Sequence, residues 1–126
     1  MATLCIKPVE AMIYDDNPTC RESLKKLLQK TYHLTHIETE DNIVSLRLDI
    51  AINRPSLLVL DYMYEGGLNL PYVVGVLHKF KGTGIIYSGV KRSRVEKELG
   101  PLPYNFAFVQ KGDLDHLNRV LSGALG

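Results

Sequence analysis

Tryptophan is absent from this chain, and cysteine occurs only twice, at Cys5 and Cys20. Two cysteines do not make a disulfide framework, so a reduced, cytoplasmic setting is expected. No apolar run approaches the roughly 18 residues that a membrane span needs. Residues 1–8 lack the pattern of a secretory signal. Neither sign of charge is in excess: 15 Lys and Arg face 14 Asp and Glu, for a net charge of +1. That balance gives no support to direct nucleic-acid binding or to an acidic tail. Internal repeats, low-complexity segments and Gly/Ser-rich linkers are missing as well. What remains is a chain of 126 residues, 45% apolar and 23% charged. Such a chain can bury enough apolar surface to offset its conformational entropy. One domain over residues 1–126 is expected, with a core from about residue 10 to about residue 124.

Apolar and polar residues alternate in blocks. Ala11–Tyr14 reads as a strand that ends at Asp15-Asp16. Asn17-Pro18 supplies a cap and a first-turn proline for a helix. Cys20, Leu24, Leu27, Leu28 and Thr31 form its apolar side, which places Cys20 in the core. Residues 33–39 make a weaker strand, with His33 and His36 on opposite faces. Asp41 or Asn42 caps a helix carrying Ile43, Leu46 and Ile50, which stops before Pro55. Leu57–Leu60 is the clearest strand, and four consecutive apolar residues fit a strand covered on both faces. Gly66-Gly67 marks a loop, and Pro71 opens a helix with Val73, Val74, Leu77 and Phe80. Residues 84–87 form a fourth strand ending at Ser88-Gly89, followed by a short polar helix over residues 91–99. Phe106–Gln110 is the fifth strand and ends at Lys111. A last helix from Asp113 carries Leu114, Leu117, Val120 and Leu121. Five βα units in succession predict a parallel sheet between two helix layers.

In such sheets, sites form beyond the carboxyl ends of the strands, where the strand order reverses. The residues there are Asp15, Asp16, Asp61, Ser88 and Lys111. Three converging carboxylates repel one another unless a cation lies among them, and oxygen-only ligands select a hard divalent ion such as Mg²⁺. A hydroxyl and an ammonium facing the same point suit an anionic oxygen group, most simply phosphoryl. One aspartate could then serve as nucleophile and become an aspartyl phosphate. Taken singly, each residue has a plainer reading. Asp15-Asp16 could cap a helix, Asp61 could be a turn residue, Ser88 a cap and Lys111 a solvated loop lysine. Their joint occurrence at four strand ends favours the shared site.

The chain resembles the receiver domain of two-component response regulators, whose single-domain members include the chemotaxis regulator. Met12-Ile13-Tyr14-Asp15-Asp16-Asn17-Pro18-Thr19 is similar to the opening strand and acid pair. Leu57-Leu58-Val59-Leu60-Asp61-Tyr62-Met63 is similar to the phosphoacceptor strand, and Ile85-Ile86-Tyr87-Ser88-Gly89 to the strand that ends in a hydroxyl residue. Phe108-Val109-Gln110-Lys111 resembles the segment in which an aromatic precedes the lysine by three positions. The separations are 45 residues from Asp16 to Asp61, 27 to Ser88 and 23 to Lys111.

The resemblance implies a single flavodoxin-like (βα)5 sandwich with strand order 2-1-3-4-5. It implies that Asp61 accepts a phosphoryl group from a sensor histidine kinase or phosphotransfer protein. Asp16 would ligate Mg²⁺ directly, Asp15 would assist through water, and Met63 would offer its backbone carbonyl. Ser88, Gly89 and Lys111 would receive the phosphoryl oxygens, and Ser88 and Phe108 would act as switch residues. Output would pass through the face of helix 4, strand 5 and helix 5, including Lys91, Arg92, Arg94 and Tyr104, to a protein partner or a second copy. No membrane and no direct nucleic-acid contact are expected, and the only chemistry catalysed would be the chain's own phosphorylation and dephosphorylation. Two departures stand out. Tyr64-Glu65 replaces a common Met-Pro pair, and Gly112 stands where proline commonly follows the lysine. They motivate an alternative, a pseudo-receiver that binds partners without being phosphorylated. A third reading, a phosphatase with an aspartyl nucleophile, lacks the second acid two residues on, where Met63 stands.

Overall fold

The computed structural model describes residues 9–62 and 70–125. Among the described residues, ten elements alternate: β1 Ala11–Tyr14, α1 Pro18–Lys30, β2 Ile37–Glu40, α2 Ile43–Asn53, β3 Leu57–Leu60, α3 Leu70–Lys79, β4 Thr83–Ser88, α4 Arg92–Leu99, β5 Phe106–Gln110 and α5 Leu114–Leu125. All strand pairs are parallel, in the order β2-β1-β3-β4-β5. The fold is the expected flavodoxin-like one. Its order reverses between β1 and β3, and the strand ends there carry Asp15 and Asp61.

The two-residue period of the strands divides the core. Met12, Leu58, Leu60, Ile86, Phe106 and Phe108 face one layer, where Ile43, Leu46, Val73, Val76, Leu77, Phe80 and Val95 of α2, α3, α4 and the turn after α3 cover them. Ala11, Ile13, Leu57, Val59, Ile85, Tyr87 and Val109 face the other, covered by Leu24 and Leu28 of α1 and Leu117 and Leu121 of α5. Every residue of β3 is buried, as its apolar run requires. Each such leucine contributes about 2 kcal/mol by leaving water.

Local chemistry sets the helix ends. Asn17 caps α1 by accepting the N–H groups of Thr19 and Cys20 at 2.9 and 3.3 Å. Asn42, one of the two expected caps, accepts the N–H of Val44 at 2.9 Å. Arg54 closes α2 in the left-handed region, with φ 47°.

Some expectations need correction. The second strand is shorter than residues 33–39, because His33 takes a left-handed φ of 58° and the N–H of Leu34 bonds back to Leu28. His33 therefore lies outside any strand, and the opposite-face placement of His33 and His36 does not hold. On α1 the buried residues are Leu24 and Leu28; Thr31 is exposed and Cys20 only half-buried. The first residue of α5, Leu114, is also exposed. It precedes the inward row of Leu117 and Leu121.

Candidate functional site

β1, β3 and β5 deliver their following residues to one point. Asp15 is fully buried; its Oδ1 accepts the N–H of Asn17 at 2.8 Å. Arg21, one turn into α1, donates from Nη1 to the Asp15 carbonyl oxygen at 2.6 Å and so steadies the turn from β1 into the helix. Asp16 is exposed beside it. Asp61 is buried at the end of β3. Lys111 reaches both buried acids, with Nζ 3.0 Å from Asp15 Oδ2 and 3.2 Å from Asp61 Oδ1. Three carboxylates, from Asp15, Asp16 and Asp61, bring oxygen atoms within 4.8 Å of one another.

One ammonium does not balance three carboxylates. Burial pushes the Asp61 carboxyl up to about 7, and the neighbouring Asp15 charge adds to that, against the opposing pull of Lys111. At Lys111 burial works against the charge, yet the two carboxylates outweigh it and raise its pKa. Apart from Lys111, no hydrogen-bond partner stands against Asp15 Oδ2 or Asp61 Oδ1 among the described residues. A buried anion without that satisfaction is costly. Oxygen-only donors with a deficit of positive charge fit a hard divalent cation such as Mg²⁺.

Ser88 ends β4, fully buried. Its hydroxyl donates to the carbonyl of Tyr62 at 2.5 Å and accepts the N–H of Val90 at 3.0 Å. It therefore stands beside the acid cluster, with its proton committed to the residue after Asp61. Among the described residues, a Cβ on Gly89 would meet no atom within 4 Å. Phe108 points into the same core layer as Phe106, as their alternation requires, and is buried with Tyr62 and Val95. Met63 lies outside the described residues, as do Tyr64, Glu65, Gly66 and Gly67.

The departure at Gly112 has a clear physical role. Its φ of 94° is a conformation that favours glycine, and its N–H donates to the Tyr87 hydroxyl at 3.2 Å. Proline has no N–H and holds φ near about −65°, so it could not make this turn. Through it, Lys111 keeps its reach, while its own N–H bonds to the Ser88 carbonyl at 2.8 Å.

Several contributors are absent from the sequence reading. The Tyr62 hydroxyl donates to the Glu98 carboxylate on α4, linking the segment after Asp61 to that helix. Gln110 Nε2 donates to the Gly89 carbonyl at 2.9 Å, joining the ends of β4 and β5. Arg21 could have been found from its place one turn beyond the Asn17 cap. Tyr62 and Glu98 are 36 residues apart, and no spacing rule connects them.

No family model and no curated protein matches the sequence. Solved structures do match. A two-component response regulator of the LuxR family from Aurantimonas sp. SI85-9A1 aligns over 94% of this chain and 86% of its own, with 14% identity and a TM-score of 0.71. The BeF3-activated conformation of SdrG from Pseudomonas melonis Fr1 aligns over 96% and 100%, with 18% identity and a TM-score of 0.69. A DNA-binding response regulator of the LuxR family from Staphylococcus aureus aligns over 94% and 99%, with 18% identity and a TM-score of 0.67. At such identities the likeness carries the fold. Strand order, layer arrangement and these neighbours agree: the chain has the fold of the receiver domain of two-component response regulators.

Proposed function

We propose that this chain is a phosphoacceptor receiver that takes a phosphoryl group onto Asp61 from a phosphohistidine of a sensor kinase or phosphotransfer protein. The observation that carries the reading is the meeting of Asp15, Asp16, Asp61 and Lys111 beyond β1, β3 and β5. An Asp61 carboxylate oxygen attacks phosphorus as the P–N bond to the donor imidazole breaks, and the imidazole leaves with the bonding pair. Asp61 must be ionised to attack, and Lys111 favours that form. Asp15, Asp16 and Asp61 would hold Mg²⁺, which offsets negative charge on the acids and the transferred group. Lys111 supplies a further positive charge, and no side chain among the described residues crowds Gly89, where the phosphoryl oxygens would lie.

Transfer alone is not a signal; a two-state element must respond to it. Ser88 suits that role because its hydroxyl can exchange the Tyr62 carbonyl for a phosphoryl oxygen, moving the turn that leads into α4. Phe108, behind that turn in the core, would repack with it. The output face would be α4, β5 and α5. Lys91, Arg92, Arg94 and Tyr104 are all exposed there, although Arg92 and Arg94 also pair with Glu96 and Glu98 of the same helix. No helix among the described residues is long and apolar enough to cross a membrane.

Metal titration followed by amide NMR tests the site. Mg²⁺ should shift the resonances of Asp15, Asp16, Asp61 and their neighbours. Asp16→Ala should lower the affinity at least tenfold while the fold is retained, because Asp16 is exposed. Unchanged affinity in that variant would place the metal elsewhere.

A further inference from the structure

Away from the aspartate cluster, α2 is apolar on two sides. Ile43 and Leu46 are buried toward the sheet, yet Val44, Leu48 and Ile52 are 53%, 63% and 67% exposed. A surface helix ordinarily turns a polar stripe to water. The spacing of four sets these three residues in one row along the helix.

This row borders a groove. Between α2 and α3 lies a cleft of about 500 Å³, whose lining includes Val44, Leu48, Ala51, Tyr72 and Val76. It shares Ile50, Ala51, Lys79 and Phe80 with a second cleft of about 1000 Å³, which runs below the starts of β3, β4 and β5 as far as Tyr104. The two make one surface, which runs from the first turns of α2 and α3 along the α2 flank to the starts of β3, β4 and β5.

The charge of this surface has one sign. Arg47, Arg54, Lys79 and Lys81 line it, and among the described residues no Asp or Glu does. Among the described residues, none of the four is in an ion pair. Arg47 spans the groove toward α3: a Cβ on Gly75 would lie 3.8 Å from its Nη1. The acid of α2, Asp49, lies against Glu40 instead. A second copy docked through this face would bring the same four cations to the contact, and like charges disfavour that pairing. The fitting occupant supplies apolar anchors and negative charge together.

We propose that the α2–α3 surface docks an amphipathic helical segment of another protein, apolar on one side and bearing Asp or Glu along its flanks. Anchors at i, i+3 or i+4, and i+7 would enter the groove beside Leu48 and Tyr72. Arg47, Lys79, Arg54 and Lys81 would meet the acidic flanks, setting orientation and speeding encounter. None of the strand-end residues Asp15, Asp16, Asp61, Ser88 and Lys111 lines this surface.

Selection of an unbiased phage-displayed library of helical peptides on the full chain is the test. The enriched peptides should carry large apolar residues at helical spacing and net negative charge. The strongest of them, synthesised, should bind more weakly as sodium chloride is raised, and shift the amides of residues 44, 48, 72 and 76. Leu48→Glu should weaken binding about tenfold or more, and Lys79→Glu several-fold. Both side chains are exposed, so urea midpoints should stay close to that of the parent chain. Four results would overturn the proposal: no enrichment, enriched peptides without net negative charge, binding indifferent to Leu48→Glu, or shifts confined to other faces. A concentration-dependent dimer that Leu48→Glu dissolves would overturn it too, by assigning the face to a second copy.

Discussion

Ser88 gives its hydroxyl hydrogen to the backbone carbonyl of Tyr62, tying the end of β4 to the residue that follows Asp61. The same oxygen accepts the Val90 N–H, so one buried side chain holds both turns beside the acid cluster. A phosphoryl group on Asp61 would compete with Tyr62 for that hydrogen. Under the proposed transfer to Asp61, the residue would be structural in one state and bind phosphoryl in the other.

Ser88→Ala should therefore have two effects. The loss of both bonds should destabilise the domain by about 1–3 kcal/mol, measured by urea denaturation. With Mg²⁺ and beryllofluoride, a phosphoryl mimic, wild-type amides from residue 89 to residue 99 and near Phe108 should shift, and the variant should respond less. Wild-type shifts confined to residues 15, 16, 61 and 111 would mean that phosphate binding does not reach the α4 face.

The raised pKa of Asp61 fixes the sign of a pH effect. The folded carboxyl holds its proton to about pH 7, while its ordinary value is 3.8. Between those values the folded chain binds more protons than the unfolded one, so stability falls as pH rises. The contribution is fully present below about pH 4 and lost through pH 7, on the order of 2–4 kcal/mol without divalent cations. Asp61→Asn should flatten this slope and exceed the wild type in stability at pH 8. Added Mg²⁺ should restore stability to the wild type and do little for the variant. Urea midpoints at pH 5 and pH 8, with and without Mg²⁺, check all three statements.

Gly84 and Phe106 are paired across β4 and β5, and a Cβ on Gly84 would overlap the Phe106 ring. That ring also meets Phe80 edge to face, with centroids 5.9 Å apart, so it has little freedom to yield. Gly84→Ala should cost about 1–3 kcal/mol by overpacking. Among the described residues, a Cβ on Gly123 of α5 would meet nothing within 4 Å. Gly123→Ala should instead stabilise by about 0.5–1 kcal/mol, because alanine loses less chain entropy in a helix. Thermal or urea unfolding of the two variants separates packing from entropy.

Much of this molecule was legible in the sequence because its signals are local. Asn17-Pro18 marks a helix start by hydrogen-bonding chemistry, and Leu57–Leu60 marks a doubly covered strand by composition. Asp15, Asp61 and Lys111 could be placed together because a parallel sheet puts all its strand ends on one side. The β2 boundary was not legible: nothing in the His33 side chain announces a left-handed backbone, which follows from how α1 ends. Nor was the Tyr62–Glu98 bond, which needs the tertiary placement of α4. The exposed row on α2 escaped for another reason. Ile43, Leu46 and Ile50 mark the inward side of α2 in sequence, and only the packing shows Val44, Leu48 and Ile52 left together in an exposed row.

The claim that Asp61 is the phosphoacceptor is tested most directly by intact mass spectrometry after exposure to acetyl phosphate and Mg²⁺. The wild-type chain should gain one phosphoryl mass, Asp61→Asn should gain none, and EDTA, by removing the cation, should suppress the gain. A folded, Mg²⁺-binding wild type that gains no mass, or an Asp61→Asn variant that gains it in full yield, would contradict the account. The first result would leave a receiver fold used as a protein-binding module without phosphorylation.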